Sequence, residues 1–385
     1  MIVEGFRGAI YCSKGTAELL KILLPDSARL QEEEAEYRNK HQLTRHAPAL
    51  PLYTEKDAYH TLEYLHPIAN EQVPIHVAKG VTAEFYPAGH LLGSRSVRVT
   101  LKEGDKRILF SGDLGHQNPL ILRDPADPVE ADYVLVESTY GDRLHDKVSP
   151  KEALAQALRR AIPRNGTILI PAFAVGRTQE VLYVLRQLED EGRIPILPVY
   201  VDSPMATDAS EVYARLQGEF DPALLENNRL PMRTMKTQFA STRAQSRRLN
   251  DLEGPHIIIS ASGMMTGGRV LHHAQRVLPN QNDTIIFVGF QAAGTTGRRI
   301  LEREPVVRIY KQEVPVRCHI ERVEGFSSHP DYEDILAWLR DIPKPPSRVF
   351  LTHGEPSATQ SLATKIEERF GWKTHLPQYG EVFTL

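Results

Sequence analysis

Five side chains combine residue types and settings that could do chemistry. His90 lies in Ala88-Gly89-His90-Leu91-Leu92-Gly93-Ser94, and Asp113 in Phe110-Ser111-Gly112-Asp113-Leu114-Gly115. Glu137 lies in Val136-Glu137-Ser138-Thr139-Tyr140-Gly141. His329 lies in Gly325-Phe326-Ser327-Ser328-His329-Pro330-Asp331, and His353 in Leu351-Thr352-His353-Gly354-Glu355. Imidazoles and carboxylates bind borderline metal ions and move protons near neutral pH. Several of them stand close to glycine at the ends of expected strands, where α/β proteins place their sites. Taken singly, each also reads as a turn or hydrogen-bonding residue. Five in matching contexts point to a joint site.

The elements that must hold them follow from periodicity. Short, apolar, β-branched runs predict strands over residues 133–136, 167–170, 196–201, 256–260, 284–288 and 348–352, buried on both faces. Ser149-Pro150-Lys151-Glu152 reads as a capping box that opens a helix over 153–162. Further helices are expected over 178–188, 332–339 and 356–370, the last stopped by Gly371. Alternating strands and helices predict α/β layers. Residues 232–249 are rich in Arg, Ser, Thr and Gln. They suit a solvated helix and loop, or a surface that holds a phosphate backbone.

The bulk properties narrow the choice. A chain of 385 residues can form one large α/β domain or two joined ones. Its net charge of −3 excludes a generally basic nucleic-acid coat. Cys12 and Cys318, the two cysteines, cannot build a disulfide framework or a cysteine zinc knuckle, and they suit a reducing compartment. The N-terminal residues do not read as a signal peptide, and no apolar run is long enough to span a bilayer. The cytoplasm is the expected location.

Taken in order, these motifs resemble the later motifs of the β-CASP branch of the metallo-β-lactamase fold, the RNA-cutting zinc hydrolases. Further stretches typical of that family are Pro171-Ala172-Phe173-Ala174-Val175-Gly176-Arg177, Asp202-Ser203-Pro204-Met205-Ala206, Ser260-Ala261-Ser262-Gly263-Met264 and Gly289-Phe290-Gln291-Ala292. The resemblance covers essentially the whole chain. It implies an α/β metallo-β-lactamase αββα core over residues 1–147 and 325–385, with an α/β β-CASP cap inserted over 148–324 and the site in the cleft. It implies two zinc ions, with His90 on one, His353 on the other and Asp113 bridging them. It makes His329 the proton donor to the leaving oxygen, and Glu137 the group that orients His329. Ser203, Ser262 and Arg269 would contact substrate phosphates, or else make loop hydrogen bonds between the two domains. A histidine at the position of His353 goes with RNA-processing members, so RNA is the implied partner.

One departure bears on activity. The family's His-x-His-x-Asp-His motif supplies four metal ligands, and no His-x-His occurs in this sequence. On the resemblance, Met1 falls just downstream of that motif and of the first strands. The core is then expected to be incomplete at its N-terminus, with an open sheet edge. Two protein ligands per ion are too few for tight zinc, so weak or absent zinc and little activity are expected. Three readings stay open: a ribonuclease, a non-catalytic RNA- or partner-binding homologue, and a hydrolase of a small ester or thioester. Endo- versus exonucleolytic attack and a homodimer are left undecided.

Overall fold

Residues 3–145, 148–225 and 232–385 are described by a computed structural model. The chain divides into two units, Met1–Leu144 with His329–Leu385, and His145–Ser328. The expected boundary at residue 147 lies outside the described residues. Among the described residues, no helix is long and apolar enough to cross a membrane.

The first unit is built on a seven-stranded mixed sheet. Its spatial order is Thr374–His375, Arg348–Thr352, Tyr133–Glu137, Lys106–Phe110, Arg95–Leu101, Val81–Pro87 and Ile75–Ala78. The strands from Lys106, Tyr133, Arg348 and Thr374 run parallel, and the others pair antiparallel. Side chains alternate across the sheet. Leu109, Val134, Val136, Val349 and Leu351 point to one face and are fully buried. Helices Tyr332–Arg340 and Pro356–Phe370 cover that face with Ile335, Leu336, Leu339, Leu362 and Ile366.

The opposite face is more open. Val97, Val99, Ile108 and Leu135 are half-buried, and Phe110 is exposed. The C-terminal residues Phe383 and Leu385 lie along this face. With Phe110, Leu135 and Phe350 they line a cavity of about 260 Å³. The edge strands of this sheet are Ile75–Ala78 and Thr374–His375.

The apolar pattern predicts no strand or helix range before residue 133. There the structure has a 27-residue helix, Lys14–Lys40, whose N-cap Ser13 accepts from the Thr16 amide. The Ser13 hydroxyl also donates to the Gly93 carbonyl at 2.6 Å. A Cβ on Gly15 would stand 2.6 Å from the Gly93 Cα, so glycine is what lets the helix start against the loop that carries His90.

The second unit holds a six-stranded sheet whose neighbours all pair parallel. Its order is Thr237–Phe239, Val199–Asp202, His256–Ser260, Thr167–Pro171, Thr284–Phe287 and His319–Arg322. Its central strands are apolar along their whole length, as burial on both faces requires. Ile257, Ile258 and Ile259 are all buried. One expected strand begins well inside its apolar run. Residues 196–198 are irregular and the strand begins at Val199, because Pro198 has no N–H to give a ladder. A parallel sheet sends all its strand ends to one edge, so the loops after Pro171, Asp202, Ser260 and Phe287 leave together. In the 232–249 segment, the helix Arg243–Leu249 is opened by a capping box from Thr242 and Gln245.

Candidate metal and proton-transfer site

The strands Tyr133–Glu137 and Arg348–Thr352 lie side by side and in parallel, with Glu137 opposite Thr352. That register brings Glu137 and His353 to one edge of the first unit's sheet. Asp113 arrives in the loop after Lys106–Phe110, and His90 in the loop after Val81–Pro87. The two loops are locked together. Gly115 N–H donates to the Ala88 carbonyl at 2.6 Å, and a Cβ on Gly115 would stand 2.4 Å from Gly89. Within the His90 loop, the Ser94 hydroxyl accepts from the amides of His90 and Leu91, each at 3.1 Å. His329 comes just before Tyr332–Arg340, a helix capped by the Asp331 carboxylate. A bridge between Tyr140 and Asp331 ties that turn to the end of the Glu137 strand.

Glu137 is 1% exposed. It accepts from the Leu114 amide at 2.7 Å, and its two oxygens lie 2.9 and 3.1 Å from His329 Nδ1. A buried carboxylate there requires Nδ1 to carry hydrogen, which fixes the ring and leaves Nε2 on its far side. The His329 ring packs on His90 at 4.4 Å and on His353 at 5.6 Å between centroids. His90 Nδ1 donates to the Leu114 carbonyl at 3.1 Å, so the lone pair of this imidazole is at Nε2. Burial, reinforced by the neighbouring His329, pushes the His90 pKa down and favours the neutral form that binds metals. His353 Nδ1 lies 3.2 Å from Asp113 Oδ1. His353 also has a positive φ of 53°, uncommon outside glycine, and Thr139 donates to its carbonyl at 3.0 Å.

The structure therefore brings His90, Asp113, Glu137, His329 and His353 to one place. Their chemistry suits a metal ion: imidazole nitrogens and carboxylate oxygens, with His90 already oriented by a carbonyl. Among the described residues, His90, Glu137 and His329 offer ligand atoms all within 4.8 Å of one another. Glu137 is already committed to the Leu114 amide and to His329, so its geometry is that of an orienting carboxylate.

Ser203, Ser262 and Arg269 belong to the second unit and are engaged there. Ser203 accepts from the Ala206 amide at 3.2 Å as a helix cap. Ser262 accepts from the Thr266 amide at 3.1 Å. Arg269 donates to Asp202 Oδ1 at 2.7 Å and to the carbonyls of Ala240 and Ser241 at 2.8 and 2.9 Å. All of these partners lie within the second unit, not in another domain. Sequence reasoning missed the network around Asp202. This carboxylate also takes hydrogen bonds from His273 Nε2 at 2.6 Å and Ser246 at 2.5 Å, while His273 Nδ1 faces Asn250 Oδ1 at 2.9 Å. The available signal was Asp202 itself, an acid at a strand end like Glu137.

Comparison with known proteins places this geometry. Residues 178–300 match the Beta-Casp domain, and residues 313–377 match the Zn-dependent metallo-hydrolase RNA specificity domain. The chain is similar to Ribonuclease TTHA0252 of Thermus thermophilus, at 34% identity over 384 residues, 98% of this chain and 82% of that protein. It is similar to an RNase J-like protein of Methanocaldococcus jannaschii, at 29% identity over 98% of this chain and 83% of that protein. It is also similar to the transcription termination factor FttA of Lokiarchaeum, at 29% identity over 99% of this chain and 59% of that protein. Likeness of this extent, added to an α/β fold with both domain matches in place, means that the chain belongs to the β-CASP family of metal-dependent hydrolases built on the metallo-β-lactamase fold.

Proposed function

We propose that the chain hydrolyses RNA phosphodiester bonds with zinc as its metal. The observation that carries this reading is the buried Glu137–His329 pair, set beside His90, Asp113 and His353. The names of the relatives supply the substrate class.

His90 through Nε2, Asp113 and His353 would hold the metal. A bound zinc supplies a hydroxide near neutral pH and positive charge near the phosphoryl oxygens. The chain's own part is proton transfer. Glu137 holds the Nδ1–H of His329 and orients the ring, so that its Nε2 can protonate the leaving oxygen as the P–O bond breaks. Positioned proton transfer of this kind contributes roughly 10²–10⁴-fold to a rate. Three metal-holding side chains are few for two ions that each take three or four protein ligands. The reading therefore includes weak zinc binding and slow turnover.

The test is zinc per chain on the purified protein by elemental analysis, with cleavage of a labelled single-stranded RNA measured alongside. Less than two zinc ions per chain is expected, with slow cleavage that a chelator stops and added zinc restores. RNA left intact at saturating zinc would overturn the catalytic reading. The non-catalytic homologue would then take its place.

A further inference from the structure

Two phenylalanine rings of the second unit stay in solvent. Phe173 is 43% exposed and Phe290 is 42% exposed. Scattered exposed apolar residues are ordinary, but these two are related by the fold. Phe173 follows the strand Thr167–Pro171, and Phe290 follows Thr284–Phe287. Those strands are parallel neighbours, with Ile285 opposite Leu169, so both loops leave the same edge of the sheet.

The loops are held firmly, and through one shared point. A Cβ on Gly263 would meet the Phe173 amide nitrogen at 3.1 Å and its ring at 3.2 Å, so glycine lets the ring lie close against that backbone. The Phe173 carbonyl accepts from Thr178, at 3.1 Å from its amide and 2.8 Å from its hydroxyl. Gln291, itself buried, donates through Nε2 to the Gly263 carbonyl at 3.0 Å and to the Phe290 carbonyl at 3.1 Å. The backbones of both residues are thus tied to the Gly263 segment while their rings stay open to solvent. A phenylalanine can bury roughly 150–250 Å². Two that forgo much of this burial, on fixed neighbouring loops, suit a ligand with flat apolar faces.

Resting on the reading that this chain acts on RNA, we propose that Phe173 and Phe290 form a stacking platform for unpaired nucleobases. Every base has a π-face, so such a platform accepts strands of any sequence but requires them to be single-stranded. It would hold the strand by its bases, while charged groups act on its phosphates.

The experiment is fluorescence anisotropy on the full chain with chelator present, so that RNA stays intact. The probes are a labelled single-stranded oligoadenylate and an abasic strand of equal length. The wild type is expected to prefer the oligoadenylate. Phe173→Ala and Phe290→Ala should each weaken that binding about 5- to 150-fold, the range found for losing one stacked base. Phe→Tyr at either position should keep it. Phe→Leu, which retains an apolar side chain without a π-face, should lose it. Oligoadenylate binding unchanged in the alanine or leucine variants would overturn the platform and leave the RNA reading standing. Equal wild-type affinity for both probes would also overturn it and point to a protein contact for the rings. No binding of either probe by the wild type would remove the RNA reading itself, and the platform with it.

Discussion

Each unit contains a buried carboxylate paired with a histidine, and the two pairs differ in what surrounds the imidazole. In the first unit, Glu137 is almost wholly buried, yet His329 keeps 21% of its side chain exposed. Its ring leans on His90 and His353. In the second unit, the side chains of Asp202 and His273 are both 0% exposed. There the carboxylate also takes bonds from Arg269 and Ser246, and the second imidazole nitrogen meets Asn250. The same two groups thus serve opposite ends. An imidazole with both nitrogens engaged is a brace, and it joins the end of the strand Val199–Asp202 and the C-terminal end of the helix Arg243–Leu249 to the helix Arg269–Val277. A partly exposed imidazole oriented by a buried carboxylate, beside other ligand-type groups, can move a proton.

The sharpest break between the pairs is kinetic. His329→Ala should slow RNA cleavage roughly 10²–10⁴-fold with little change in the unfolding midpoint. A drop of only a few-fold would show that Glu137–His329 is a second brace. His273→Ala should do the reverse. Removing one partner of a buried pair costs about 3–5 kcal/mol, which denaturant titration would read as a lower unfolding free energy. Cleavage below the midpoint should change far less than in His329→Ala.

Acid sharpens the contrast further. Burial alone would raise the Asp202 carboxyl pKa, but hydrogen bonds from His273, Ser246 and Arg269 outweigh it and hold the pKa below the ordinary aspartate value. The stability this gives is fully present above the ordinary value. It is lost as pH falls through the lower folded one. Unfolding free energy should therefore fall on strong acidification, and Asp202→Asn should flatten that limb. An unchanged limb would mean that other carboxylates set it.

The smallest effect is a labelling rate. Burial, then the nearby Asp283, pushes the Cys318 thiol up to about 12. The thiolate is the reactive form, so iodoacetamide at pH 8 should label Cys318 slowly in the folded protein. Labelling should quicken in His273→Ala if the brace keeps the second unit closed. Equal rates in both proteins would confine its influence to the loops it touches.

Much of the first site was legible before the structure. Glu137 and His353 each end or follow an apolar run, and such runs declare buried parallel strands whose ends share an edge. The strands over 256–260 and 348–352 have the extents the apolar pattern predicts. The strand expected from 196 did not, because a single proline outweighs an apolar pattern. The long helix near the N-terminus was illegible for another reason. The helix Lys14–Lys40 has Pro25 inside it and only six buried residues along its length, so its periodic signal is faint.

What the sequence determined by itself was residue type and local period: strands, helix starts, and acids or histidines at strand ends. The tertiary structure decided which of those groups are used up. His329 meets Glu137 across 192 residues, and His273 meets Asp202 across 71. Whether an imidazole is left able to do chemistry depends on how many partners distant segments bring to it. No local pattern records that, because hydrogen-bond saturation is set by packing in three dimensions.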